Sequence, residues 1–185
     1  MKAVNQKLLV RSDPEQKQSF LVGGVQMTGA TMFNQNYRER SPVVCQSEQD
    51  SGDIKQGDIL VCHHNTFYSP SPYHLYEDLF SIPLKGTIIF CKVNPFGGLI
   101  PLLGNMIVET IPIEDKYAHS FEERNYYPNR IQVVHGGGTD YQKGDLLFTR
   151  PLGAYEMVYH FKGEERRVFK CHENQIVGRF ILKPA

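Results

Sequence analysis

Three clusters in this chain have the residue types for chemistry. Cys62-His63-His64, with Cys45 and His74 in reach along the sequence, offers ligands of the kind zinc takes. Neighbouring residues of a strand face opposite sides, however, so these three cannot meet at one ion without a bulge, and the ordered spacings of zinc sites are missing. His135-Gly136-Gly137-Gly138 has the composition of an esterase oxyanion loop. No Gly-x-Ser-x-Gly elbow accompanies it, and no Gly-Lys-Ser or Gly-Lys-Thr makes its glycines a phosphate loop. Cys171-His172-Glu173 reads as a strand running into a turn, with no arrangement from which a Cys–His nucleophile can be argued. The sequence therefore predicts no catalytic residue, no metal ligand and no cofactor, and a protein that is not an enzyme.

Composition narrows the class further. Twenty basic residues balance twenty acidic ones, so the chain lacks the excess positive charge that neutralising a phosphate backbone requires, and no nucleic-acid partner is expected. The apolar neighbourhood over residues 95–108 is broken by Gly97, Gly98, Pro101 and Gly104 and is too short for a membrane helix. The first residues run straight into polar and charged ones without the apolar core of a secretory signal, so a cytoplasmic location is expected. In that compartment Cys45, Cys62, Cys91 and Cys171, widely spaced and without a Cys-x-x-Cys pair, read as buried reduced thiols.

The elements that must position any site are strands. In residues 154–161, Tyr155, Met157, Tyr159 and Phe161 recur at period two, the pattern of a half-buried strand. A turn over residues 162–165 and a return strand over 167–171 complete a hairpin. Further β-rich runs occupy residues 6–11, 42–46, 58–62, 86–93, 105–113, 130–135, 145–149 and 175–182, punctuated by Gly, Pro, Asn and Asp. Helical spacing is nearly absent. At most one helical turn is expected over residues 73–80, and the fold class predicted is all-β.

Cutting the chain near residue 102, in its Gly- and Pro-rich stretch, exposes an internal repeat. Asp53-Ile54-Lys55-Gln56-Gly57-Asp58-Ile59-Leu60-Val61 aligns with Asp140-Tyr141-Gln142-Lys143-Gly144-Asp145-Leu146-Leu147-Phe148. Gly57 and Gly144 permit positive φ, while Asp58 and Asp145 can bind nearby amides and set where the next strand starts.

These motifs resemble the GroES co-chaperonin family, whose subunit is an irregular β-barrel with a Gly-Asp turn and an apolar strand at its centre. Residues 143–148, Gly153, Tyr155, residues 164–169 and Glu173-Asn174-Gln175-Ile176-Val177-Gly178 follow the order of the family's C-terminal half. The resemblance implies two tandem GroES-like irregular β-barrels, 1–102 and 103–185. It implies a mobile loop over residues 16–36 in the first, where Gly-Gly, an apolar tripeptide and Thr-Gly recur. Carried over, the chaperonin-binding residues are Leu21, Gly23, Gly24, Val25, Gln26, Met27 and Thr28, with Val25 and Met27 the outer anchors. Gln26 departs from the family, where an apolar residue is usual; an amide buried there loses about 1 to 3 kcal/mol. The second unit lacks the motif, so one loop per chain is expected to dock, and the short link over residues 45–53 favours an open collar over a closed dome.

The function so implied is that of a co-chaperonin-like subunit of a homo-oligomeric ring. It would cap or collar an ATP-driven chaperonin, which binds the ATP itself, and so assist protein folding. Ring closure is expected through edge strands, with residues 2–11 and 175–182 the edges. A second reading from another class makes the chain a non-enzymatic structural or assembly component, for example of a phage particle in a host-cell cytoplasm. Family members occur both in plastids and in bacteriophages, so the resemblance leaves both readings open.

Overall fold

The computed structural model describes residues 6–12, 19–22, 25–28, 39–40, 43–63, 66–67, 71–112, 126–151, 153–161 and 164–180. In chain order the first ten strands are β1 (Lys7–Ser12), β2 (Ser19–Val22), β3 (Val25–Thr28), β4 (Glu39–Arg40), β5 (Val43–Ser47), β6 (Ile59–Cys62), β7 (His74–Tyr76), β8 (Leu79–Pro83), β9 (Ile89–Val93) and β10 (Leu99–Pro101). The remainder are β11 (Asn105–Pro112), β12 (Tyr126–His135), β13 (Leu146–Thr149), β14 (Ala154–Phe161), β15 (Glu164–His172) and β16 (Ile176–Arg179). The chain is all-β; among the described residues it has no α-helix, and a short 3-10 turn at Glu173–Gln175 leads into β16.

Two seven-stranded sheets carry the fold, in the orders β10-β9-β6-β5-β1-β8-β7 and β16-β13-β12-β11-β15-β14-β4. All pairings are antiparallel except β4 with β14. Neither sheet closes into a barrel among the described residues. The terminal strands β4, β7, β10 and β16 have only two to four residues each, too short a row of backbone groups to bend round and pair with one another.

Six strands of one sheet match six of the other in order: β9, β6, β5, β1, β8 and β7 correspond to β16, β13, β12, β11, β15 and β14. The registers agree over most of each ladder, although β7–β8 carries a bulge between His74 and Tyr76 that β14–β15 lacks, and β11–β12 one between Ile107 and Val108. Val10 lies opposite Ser47 and Phe80, as Val108 lies opposite Val133 and Phe169. One irregularity recurs, with a register shift after Val61 in β6 and after Phe148 in β13.

The turn before β6 and β13 shows what holds the correspondence. The Asp58 carboxylate accepts from the Lys55 amide at 2.9 Å, and that of Asp145 from the Gln142 amide at 2.8 Å. Lys92 and Arg179, at equivalent positions, pair with those carboxylates at 3.4 and 2.6 Å. The Gln142 amide, with Arg179 beside it, lowers the pKa of Asp145. Gly57 and Gly144 sit at φ of 89° and 94°, a region open to glycine and strained for other residues.

Residues 73–80 form strands rather than the expected helical turn. Phe80 and Ile82 alternate with less buried Leu79, Ser81 and Pro83, so period two decides there. Of the edge expected over residues 2–11, residues 2–5 lie outside the described residues, and residues 7–11 are corrected: β1 lies between β5 and β8 in the middle of its sheet, with backbone groups committed on both sides. Among the described residues β16, within the other expected edge at 175–182, lies at the end of its sheet.

Each sheet covers its own core. Leu8, Val10, Leu60, Ile82 and Ile89 anchor one, and Met106, Val108, Ile131, Val133 and Leu147 the other. A third cluster joins them, with Val61, Phe90 and Cys91 from the first sheet against Ile107 and Met157 from the second. Beside it lies a buried polar hub. The Asn105 amide donates to the carbonyls of Gly86 at 2.9 Å, Ile89 at 3.2 Å and Leu102 at 2.9 Å. Its oxygen accepts from Lys170 Nζ at 3.0 Å, and that ammonium stands 3.7 Å from the centre of the Phe90 ring.

Two predictions follow from this frame. Gly57→Ala and Gly144→Ala should each destabilise by about 1 to 3 kcal/mol, from backbone strain alone, since no Cβ at either site meets anything closer than 3.9 Å. The two losses should be similar and additive in urea unfolding, and a neutral effect at either would contradict the shared turn. Asn105→Ala should cost about 2 to 4 kcal/mol, because it strips buried carbonyls of a donor and a buried ammonium of an acceptor. A stability unchanged in the same measurement would show the hub to be dispensable.

Candidate functional site

The clusters that looked chemical are explained by folding. Cys45 and Cys62 place their sulfurs 3.6 Å apart, both buried, on paired strands. His63 packs edge-on to Phe90 at 6.0 Å between ring centres, while His64 lies outside the described residues. Among the described residues, no three His, Cys, Asp or Glu side chains converge as a metal site.

His135 accepts from the Gly137 amide through Nδ1 at 3.1 Å. The first two glycines after it are required by close approach: a Cβ on Gly136 would run into the Tyr141 carbonyl, and one on Gly137 into the Asn105 carbonyl. His172 accepts from the Asn174 amide through Nδ1 at 3.2 Å and so caps the 3-10 turn.

The thiols are quiet as well. Burial pushes Cys91 and Cys171 up to about 12, against the opposing pull of Lys170. Burial, and then the Cys62 sulfur, also raise Cys45.

Of the aromatic residues that could form a binding surface, Phe67 and Phe80 pack edge to face in the first core at 4.8 Å, with Tyr73 against them. Tyr76 and Phe96 are exposed. Phe96 rides a turn in which Asn94 Oδ1 accepts from the Phe96 and Gly98 amides, both at 2.9 Å.

What remains is the segment singled out for docking. Residues 16–18, 23–24 and 29–36 of the expected loop lie outside the described residues, Gly23 and Gly24 among them. The others form β2 and β3, an antiparallel hairpin that the sequence reading had not placed there. Ser19 pairs with Thr28, Phe20 with Met27, Leu21 with Gln26 and Val22 with Val25. The pairing leaves Gly23-Gly24 as the two residues between the strands, a connection length and composition that favour a tight hairpin.

Among the described residues this hairpin is hydrogen-bonded to neither seven-stranded sheet. Because opposed residues share a face and alternate ones do too, the register puts positions 20, 22, 25 and 27 on one face and 19, 21, 26 and 28 on the other. Leu21, Gln26 and Thr28 are thereby set apart from the two anchors, Val25 and Met27. The cue for this division was present in Ser-Phe-Leu-Val and Val-Gln-Met-Thr flanking two glycines, but only pairing reveals which residues stand together.

No family model, curated protein or solved structure matches the chain. The functional reading therefore rests on the geometry of the hairpin and of the two matched sheets.

Because the thiolate is the reactive species, iodoacetamide at pH 8 should leave all four cysteines of the native chain unlabelled over a time that labels all four in urea. Rapid native labelling of Cys91 or Cys171 would show a reactive site in place of a packed one.

Proposed function

We propose that this chain is a co-chaperonin-like ring subunit built from two tandem GroES-like units, and that it engages an ATP-driven chaperonin through the β2–β3 hairpin. The observation that carries the reading is that the hairpin pairs with neither large sheet among the described residues. It is a separate two-stranded ribbon, with Phe20, Val22, Val25 and Met27 at the positions of one face. A hairpin without further strands is only marginally stable in water. An apolar groove that takes up one of its faces supplies what the ribbon lacks, by the mode in which apolar anchors give affinity and paired backbone gives shape.

The repeat supports the same reading. Two small antiparallel units of one strand order suit a subunit that contributes two positions to a ring, and the hairpin falls between the first and fifth strands of the first unit. The chaperonin supplies ATP binding and hydrolysis; this chain contributes contacts and no catalysis. A particle-building role uses the same units but gives the hairpin no groove to fill.

The register changes one expectation. Gln26 stands opposite Leu21, on the other face from Val25 and Met27, so the groove need not desolvate its amide. Gln26→Val should leave chaperonin binding within about twofold. Met27→Ala should weaken each docked hairpin by about 1 to 3 kcal/mol. With several hairpins engaging one ring, the loss multiplies through effective concentration and a pull-down should lose nearly all of the complex.

The test is a pull-down on a chaperonin with and without nucleotide, comparing the wild type, Gln26→Val and the Val25→Ala, Met27→Ala double variant. Full retention by a folded double variant would remove the docking role and leave the assembly-component reading.

A further inference from the structure

The cluster between the two sheets is a junction of unlike faces. The first unit presents the β6–β9 side, through Ile59, Val61, Phe90, Cys91 and Val93; the second presents the β11–β14–β15 side, through Ile107, Met157 and Val168. Because the units correspond in strand order and over most of their register, each also carries the face that the other used. The second unit repeats the β6–β9 side as β13 and β16, with Leu146, Phe148, Val177, Gly178 and Phe180 at the matching positions. The first unit repeats the β11–β14–β15 side as β1, β7 and β8, with Leu9, Tyr76 and Leu79.

Burial separates the used copies from the unused ones. Phe90 is 2% exposed at the junction, while its counterpart Val177 is 62% exposed; Met157 is 0% exposed and its counterpart Tyr76 58%. A single exposed apolar side chain is ordinary, but these two stand on faces whose counterparts are packed inside the chain, and a contiguous apolar face marks an interaction site. Phe148 and Phe180 already stack with ring centres 4.0 Å apart, and Leu9, Leu79 and Leu146 are half-buried around them on their respective faces. The two bare faces are complementary in the sense the chain itself demonstrates, since their counterparts pack together within it.

We propose that copies of this chain associate head to tail. The β13–β16 face of one copy, centred on Val177, packs on the β1–β7–β8 face of the next, centred on Tyr76, and so repeats the intrachain junction between chains. The proposed contact is between side-chain faces; inside the chain the same junction is flanked by the parallel pairing of β4, from the first unit, with β14 of the second. Polar changes distinguish it from the internal version: Ser81 stands where the second unit has Lys170, the cation over Phe90. Glu48 stands where the second unit has Val134, and Arg11 holds its carboxylate at 3.1 Å, with Asp78 on the same guanidinium at 2.6 Å. Such an interface is heterologous: each copy offers one donor face and one acceptor face, which generates a ring when the rotation closes.

This deepens the ring part of the proposed function and rests on that reading for the ring, but not on the hairpin. The test uses the full chain in size-exclusion chromatography with light scattering at tens of micromolar, a range that reveals weak association. Wild type should run as a multi-chain assembly. Val177→Glu and Tyr76→Glu should each be monomeric, with association weakened at least ~100-fold, as expected for a charge placed at an interface centre. Mixed together, the two variants should form a one-to-one dimer, since each keeps the face that the other has lost.

Unchanged thermal unfolding should accompany both substitutions, because both side chains are exposed in the single chain; Val177→Ser and Tyr76→Ser replace any variant that fails to fold. A monomeric wild type, a Val177→Glu variant that assembles as wild type does, or a mixture that stays monomeric would overturn the interface. A monomer that still binds a chaperonin would overturn the interface alone. An assembly that ignores a chaperonin would overturn the co-chaperonin reading alone.

Discussion

The side chain of Asn105 is the point on which the two halves turn. It is the first residue of β11, where the second sheet begins, and it is fully buried. Its amide gathers three carbonyls of the preceding segment, while its oxygen faces the Lys170 ammonium from β15. Buried polar groups are tolerated only when satisfied, and each missing partner leaves a desolvated group behind. The hub therefore fixes how the chain leaves the first sheet and enters the second. The apolar junction of Phe90, Cys91, Ile107 and Met157 then forms beside a cation held over the Phe90 ring.

Around that hub the two units keep the same turns and most of their registers but differ where use differs. The Lys92 to Asp58 and Arg179 to Asp145 pairs, the Gly57 and Gly144 turns and the register shifts in β6 and β13 are features of the shared frame. β10 lies beside β9 and β4 beside β14, at opposite ends of the matched order, while among the described residues β16 and β7 have no outer neighbour. The departures from symmetry include the β2–β3 hairpin after β1, which pairs with neither large sheet among the described residues, and the exposure of Tyr76 and Val177 where Met157 and Phe90 are buried.

Much of the frame was legible in the sequence because short-range chemistry encodes it. The period-two pattern of residues 154–161 marked β14, and the aligned Gly-Asp turns marked the starts of β6 and β13. Residues 73–80 were harder: Leu75, Leu79 and Phe80 satisfy helical spacing as well as strand spacing, and only the neighbouring β1 makes Phe80 and Ile82 the buried pair. The edge role assigned to residues 7–11 failed for a similar reason, since position in a sheet depends on partners distant in sequence. Leu21, Val25, Gln26, Met27 and Thr28 were named as a docking set from their types. Their division into two faces depends on the register across Gly23-Gly24, which composition alone does not determine. The hub at Asn105 left no mark in the sequence, because an asparagine at a strand start reads as ordinary punctuation.

The most direct test of the co-chaperonin reading is the ATP turnover of a chaperonin titrated with this chain. Turnover should change and then saturate at a fixed stoichiometric ratio, with the hairpin's apolar face required for the change. Turnover that stays constant through a large excess of the folded chain would contradict the reading.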